Sequence, residues 1–130
     1  MRLAAAVLAD SANVREDLVN ALSLGVNRVQ TSDFPTAIRM SAVVIIEIDP
    51  SDGEELDLPI AISMYEGNDV PEMPQINGQL HVRVEDHPVN VPLALPLDGF
   101  MVHAPGVFTV RIAVGEIAPV EIRVLAESTI

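Results

Sequence analysis

The chain has 130 residues, of which 49% are hydrophobic but only 3% aromatic, and it carries a formal net charge of −12 with no cysteine. We expect residues 1–130 to form one domain, since this length is typical of a single domain. The missing cysteines exclude disulfides, thiolate metal sites and a cysteine nucleophile, and the acidic surface disfavours nucleic acids and membranes as partners.

The first segment, residues 2–14, reads RLAAAVLADSANV. Its apolar run is short for an export signal, and no capping residue for a helix precedes Leu3. We therefore predict a first strand and a cytoplasmic protein. Alternation divides the apolar side chains between two faces, with Leu3, Ala5 and Val7 on one and Ala4, Ala6 and Leu8 on the other. We expect the outer apolar face to be covered, either by a partner subunit or by residues 14–22.

The pattern of residues 13–30 fits two structures. As a helix, the segment places Val14, Leu18 and Leu22 near one face, and Asn13 can serve as its cap. As a strand, it places Leu18, Leu22 and Leu24 on one face. Local periodicity leaves both open and slightly favours a short helix at residues 14–22.

Period-two alternation, which is typical of half-buried strands, dominates the rest of the chain. SAVVIIEIDP (residues 41–50) and LPIAISMYE (residues 58–66) are predicted to pair as a hairpin joined by an acidic loop. Three further strands are predicted with alternate apolar residues on one face, at residues 80–84, 89–97 and 107–114, and a last one at residues 120–125.

Proline and glycine mark the connections and one edge. Pro92 and Pro96 lie opposite the apolar face of residues 89–97 and predict an edge strand or a broken strand, because proline cannot donate a ladder hydrogen bond. A turn is expected at Gly115–Glu116 and an irregular connection at residues 68–78. Together the segments predict an all-β, antiparallel sandwich of seven to nine strands.

Three segments resemble a family of small bacterial proteins that is known only as a domain of unknown function. They are LAAAVLADSANV, LSLGVNRVQTSDFP and PLALPLDGFMVHAPGVFTVRIAVGEIAPVEIRVL. The family is similar to immunoglobulin-like β-sandwiches, so the resemblance implies that fold and a strand at residues 18–26. In many sandwiches a tyrosine hydroxyl bonds to the corner backbone at the position of Phe108, which can pack there but has no hydroxyl. The family has no known activity, so the resemblance implies no catalytic residue.

Residues 47–57 are the most chemically suggestive segment. Five carboxylates lie within nine residues, namely Asp49, Asp52, Glu54, Glu55 and Asp57. A hard cation such as Ca²⁺ prefers several such oxygen ligands, but the spacing departs from that of a Ca²⁺-binding hand. We interpret the segment as a solvated loop that keeps the protein soluble.

The segment from His81 to His87 mixes imidazoles with carboxylates and suggests a metal or acid–base site. His81, Arg83 and Glu85 are expected on one outward face of a strand, where cross-strand ion pairs are common. Since no second group of ligands is evident, we interpret this segment as the solvent-exposed face of a strand.

Nucleophile, phosphate-binding and dinucleotide-binding motifs are all missing from the sequence. We therefore predict no catalytic, cofactor-binding or metal-binding residue, and no cofactor. The favoured function is a non-enzymatic protein-interaction or assembly module, whose partner is an unknown protein or a second copy in a homo-oligomer. The alternative is a metal-dependent binder or an enzyme that uses the acidic loop at residues 47–57 or the segment at residues 81–87.

Overall fold

The computed structural model describes residues 1–68 and 70–129, and these contain twelve strands and one 3-10 turn at Pro50–Asp52. The strands are β1 (Arg2–Ala9), β2 (Ser11–Arg15), β3 (Leu18–Leu22), β4 (Arg28–Thr31), β5 (Thr36–Ala37), β6 (Ser41–Ile48), β7 (Glu55–Glu66), β8 (Ile76–Arg83), β9 (Val89–Pro96), β10 (Met101–Val102), β11 (Gly106–Val114) and β12 (Val120–Ser128). Within the described ranges, no helix is long and apolar enough to cross a membrane.

Two larger sheets form a sandwich, which confirms the expected all-β class. One sheet has three strands in the order β1-β6-β9, and the other has five in the order β4-β12-β11-β7-β8. The strands β2 and β3 form a separate hairpin, and β5 and β10 form a short ribbon. Pairing is antiparallel except between β12 and β4. Together the two larger sheets contain eight strands among the described residues, which lies within the expected seven to nine.

Alternate residues of the two sheets form the core, as the period-two pattern predicts. The fully buried core side chains of the central strands are Val44, Ile46 and Ile48 of β6, Ile62 of β7, and Phe108, Val110, Ile112 and Val114 of β11. Because the sequence has few aromatic residues, this core depends on branched aliphatic side chains, which pack well on pleated sheets.

The predicted hairpin of residues 41–50 with residues 58–66 is wrong. β6 lies between β1 and β9, whereas β7 lies between β11 and β8 in the other sheet. The 3-10 turn and the residues around it therefore carry the chain from one sheet to the other. Alternation predicts which side of each strand is buried, and both strands do face the core, but it carries no information on which strands pair.

The predicted short helix at residues 14–22 is also wrong, because this segment belongs to the β2–β3 hairpin. The two strands are joined through Glu16 and Asp17, which both have positive φ angles, of 53° and 60°. A two-residue hairpin turn requires this conformation, and asparagine and glycine are its usual residues. The strand implied by the family resemblance is confirmed for Leu18–Leu22 and ends there.

A β-bulge changes the predicted faces of β1. The register with β6 shifts between Leu3 and Ala5. Leu3 and Ala6 consequently pack against the core together with Leu8, whereas strict alternation would separate Leu3 from the other two. An extra residue in one strand of a pair has this effect, because it reverses the facing of all residues beyond it.

The hairpin accounts for burial on the outer side of the three-stranded sheet. Val43 of β6 is only 2% exposed but lies outside the core cluster, and Ala9 of β1 is also fully buried outside it. The strand β2 contacts β6 and β9, and β3 contacts β9, without pairing to them. The backbone N–H of Asp10 donates to the carbonyl of Leu22 at 3.0 Å and holds the hairpin at its base. The hairpin thus covers β6 and β9 on this side, chiefly through β2, whereas the cover of β1 by residues 14–22 stays a prediction.

The strand β9 is an edge strand of its sheet, as its prolines predict. Pro92 lies opposite Ile45, and Pro96 lies opposite Ser41. Because a proline nitrogen cannot donate, a ladder accepts it where the nitrogen points away from the neighbouring strand. We infer that the nitrogens of both prolines point to the free edge of β9. Because these nitrogens carry no hydrogen to donate, they hinder the addition of another strand there.

The predicted turn at Gly115 is confirmed, and the predicted connection at residues 68–78 is confirmed in part. The β11–β12 turn contains Gly115, with a φ of 51°. Residues 70–75 contain no strand, but the prediction is wrong for residues 76–78, because β8 begins at Ile76; Asp69 lies outside the described residues. Phe108 packs as expected, with its ring centroid 5.7 Å from that of Phe100.

Candidate functional site

The fold brings the two candidate segments of the sequence together. The ladder between β7 and β8 places Glu55 opposite Arg83 and Asp57 opposite His81. The N–H of Val84 also donates to the carbonyl of Glu54 at 2.9 Å. Residues 47–57 and 81–87 therefore meet at one end of the five-stranded sheet, around a shallow groove of about 700 Å³.

His81 and Asp57 form the closest polar pair in this region. Nδ1 of His81 lies 2.7 Å from Oδ1 of Asp57, and Nε2 lies 4.0 Å from Oε2 of Glu55. The hydrogen bond with Asp57 raises the pKa of His81, and the charges of Asp57 and Glu55 raise it further. Both side chains of the pair are exposed, so solvent screens the interaction and it contributes little to stability.

We expect replacement of Asp57 by asparagine to lower the pKa of His81. Because the folded-state pKa of this histidine lies above its ordinary value of 6.5, the ion pair stabilises the fold below that value and is lost as the pH rises through the folded pKa. An NMR titration of the imidazole resonances in both proteins measures the change. An unaltered His81 titration in D57N would show that the pair does not form in solution.

His87 pairs with its neighbour in sequence and not with His81. Its Nδ1 lies 2.8 Å from Oδ1 of Asp86, and both side chains are exposed. The hydrogen bond from His87 lowers the pKa of Asp86. His81 and Arg83 do share the outward face of β8, whereas Glu85 lies beyond the end of that strand.

Asp52 in the acidic loop is occupied by contacts within the chain. Its carboxylate accepts the N–H of Asp49 at 2.8 Å and lies 3.0 Å from the ammonium group of Met1. The backbone hydrogen bond has the largest effect in lowering the pKa of Asp52. Within residues 1–68 and 70–129, no three histidine or carboxylate side chains are placed to hold one metal ion.

A groove that no sequence motif indicates lies on the outer side of the five-stranded sheet. It has a volume of about 590 Å³, and its walls include Tyr65, Thr109 and Arg123. The ladder places Thr109 between the other two, so the three side chains share one face. The outward alternation of Thr109 and Arg111 indicates a polar face, but only the strand order shows which residues lie beside them. The groove is also lined by Glu121 and by apolar residues, among them Val107 and Leu125, so charged, polar and apolar groups share its walls.

The chain belongs to a family of unknown function (DUF6941), whose model matches residues 4–125. The family match confirms the resemblance to a domain of unknown function, and it assigns no activity to the chain. Neither the curated proteins nor the solved structures gave a match to this chain.

Proposed function

We propose that this protein is a non-enzymatic interaction module whose β2–β3 hairpin docks onto an apolar surface of a partner protein. The observation that carries this proposal is the concentration of exposed apolar side chains on and beside the hairpin. Leu18, Leu22 and Leu24 are 67%, 69% and 61% exposed, respectively. Clustered exposed apolar side chains are typical of interaction surfaces.

The pairing of the hairpin directs two of these leucines outward. Leu18 and Leu22 lie on one face of β3, on either side of Asn20, whose amide donates to Oδ1 of Asn13 at 3.3 Å. The opposite face carries the half-buried Ala12 and Val19. Burial of a leucine contributes about 1.5–3 kcal/mol, so the outward pair can supply a substantial part of a binding energy.

The competing function, a metal-dependent binder or an enzyme at residues 47–57 and 81–87, has less support. Asp57 and His81 bond to each other on an exposed strand face, and Asp52 bonds to the backbone of its own loop. A catalytic histidine needs a partner that orients it and a reacting group within reach of its other nitrogen. The other ring nitrogen of His81, Nε2, lies 4.0 Å from a second carboxylate, that of Glu55.

We also propose that the sandwich is immunoglobulin-like. The orders β12-β11-β7-β8 and β1-β6-β9 correspond to the G-F-C-C′ and A-B-E strands of variable-type domains, with the hairpin inserted after the first strand. The module is proposed to act in the cytoplasm. Residues 2–9 form a strand paired with β6 and are therefore part of the fold.

The test is affinity purification from the native host, followed by mass spectrometry, with the wild type and the L18S/L22S variant. We expect the wild type to recover a partner protein that the variant loses, while the melting temperature stays unchanged because both side chains are exposed. M73S is the matched control, since Met73 is equally exposed but lies in the β7–β8 connection. Recovery of the same partner by L18S/L22S, or of the bait alone by the wild type, would contradict the proposal.

A further inference from the structure

The outer face of the five-stranded sheet differs from the rest of the molecule in its charge. Residues that oppose one another in the ladders share a face, and this outer face carries four arginines, namely Arg28, Arg83, Arg111 and Arg123. The same ladders place four carboxylates on it, namely Glu55, Asp57, Glu121 and Glu127. The face therefore holds four of the seven arginines but only four of the nineteen carboxylates.

The distribution of charge makes this face electrically balanced in a strongly acidic protein. The chain as a whole carries a formal net charge of −12, so nearly all of the excess negative charge lies on other surfaces. Two copies that approach through those other surfaces repel each other, whereas two balanced faces do not.

Charged side chains of both signs are spread across the strands of this face. The central strand β11 carries Arg111, and the central strand β7 carries Glu55 and Asp57. The other five charged residues lie on β4, β12 and β8. Small uncharged residues stand beside them on β7 and β11, namely Ala61, Ser63, Thr109 and Ala113. Both signs of charge are therefore available to a second copy on the same face.

Two of the four arginines are in ion pairs within the described part of the chain, and two are not. Arg111 lies 3.6 Å from Glu121, and Arg28 lies 3.6 Å from Glu127, which are loose contacts. Within residues 1–68 and 70–129, Arg83 and Arg123 make no ion pair of 4.0 Å or less. Arg123 also lines the groove of about 590 Å³.

We infer that this face, the outer side of the sheet β4-β12-β11-β7-β8, is the interface at which a second copy of the chain binds. A two-fold axis sets the same balanced face of each copy against the other, so that arginines of one copy meet carboxylates of its partner. The hairpin proposed for partner binding covers the other sheet. Each dimer would therefore present two hairpins on its outer sides.

The test uses two variants with opposite charge on this face. R111E/R123E carries an acidic face, and E121R/E127R carries a basic face. Multi-angle light scattering and sedimentation velocity should show a dimer for the wild type and a monomer for each variant alone. An equimolar mixture of the two variants should restore a dimer that contains one chain of each. The dissociation constant of the wild-type dimer should rise about tenfold between 0.05 and 0.5 M NaCl, because salt screens the attraction between arginines and carboxylates of the two copies.

R15E/R39E is the matched control. It changes the net charge by the same amount as R111E/R123E, and both of its arginines are exposed. Arg15 lies on β2, away from this face, and Arg39 lies outside the strands of the five-stranded sheet, so the dimer should persist. If R111E/R123E fails to fold by circular dichroism, the single variant R123E carries the test, since Arg123 is exposed.

Three results would overturn the inference: a monomeric wild type, a dimer that survives R111E/R123E, or a dimer that L18S/L22S abolishes instead. The first two leave the hairpin proposal intact, because that proposal is judged by the recovery of a different protein. The third would assign self-association to the hairpin.

Discussion

Replacement of Phe108 by alanine is expected to lower the free energy of unfolding by about 3–5 kcal/mol. Phe108 is the largest of the fully buried side chains and is only 1% exposed. Its ring lies between the two sheets, in a tilted contact with Phe100. Truncation removes this contact and leaves a cavity among close-packed side chains, which relax only partially into it.

Urea denaturation, followed by far-ultraviolet circular dichroism, measures the effect, because the chain has no tryptophan for fluorescence. Domains of this size are stable by about 5–15 kcal/mol, so F108A should remain folded only marginally. The control is V107A, which alters the preceding residue of the same strand. Val107 is 52% exposed, and its truncation should change stability by less than about 0.5 kcal/mol. Equal effects of the two substitutions would contradict the assignment of Phe108 to the core side of β11 and of Val107 to its outer side.

The facing of β11 illustrates what can be predicted from this sequence. Phe108, Val110, Ile112 and Val114 alternate with less apolar residues, and all four are buried in the structure. The prediction succeeds because side chains of a strand point alternately to its two faces, so local sequence is sufficient to indicate burial. The same reasoning holds for β6 and β7.

The neighbour of each strand could not be predicted in the same way. β6 and β7 follow each other in the sequence and both face the core, but they belong to different sheets. Alternation is the same for a strand that pairs with its successor and for one that packs across the core from it. Asp52 contributes to the separation by accepting the N–H of Asp49 in the turn between them. This is half of a capping box, whose three-residue spacing indicates a local turn but not which sheet each strand joins.

The hairpin could not be predicted from the local sequence, because its turn lacks the glycine or asparagine that is typical of two-residue hairpin turns. Glu16 and Asp17 both adopt left-handed backbone conformations that glycine or asparagine would adopt at lower cost. The apolar spacing of Val14, Leu18 and Leu22 fits a helix equally well. Contact with β6 and β9 outweighs this local preference, and such tertiary contacts are invisible to a local pattern.

The candidate site was predictable in its parts but not in its assembly. Both charged segments stand out in the sequence, and the interpretation of each as a solvated surface stays a prediction about solution behaviour. Their meeting depends on the β7–β8 ladder, which joins Asp57 to His81 across 24 positions. The balanced charge of the outer face likewise emerges only from the order of five strands, since its arginines are scattered along the chain from Arg28 to Arg123.

We expect replacement of Ala9 by aspartate to prevent stable folding or to lower the free energy of unfolding by at least about 3 kcal/mol. Ala9 is fully buried on the side of β1 that faces away from the core, opposite Ser41. If the hairpin covers this side, a carboxylate at position 9 is held away from water without a cationic partner. Thermal denaturation, followed by circular dichroism, measures the loss.

A4D is the matched control, because Ala4 lies at the bulge of the same strand and is exposed. Its carboxylate can remain hydrated, and the change in stability should stay within about 0.5 kcal/mol. A melting temperature of A9D close to that of A4D would mean that the hairpin can move aside at little cost, and the outer side of β1 would then be a wet surface. A large loss in A9D alone would show that the hairpin is an integral layer of the fold, so that its outward leucines are held on a rigid support.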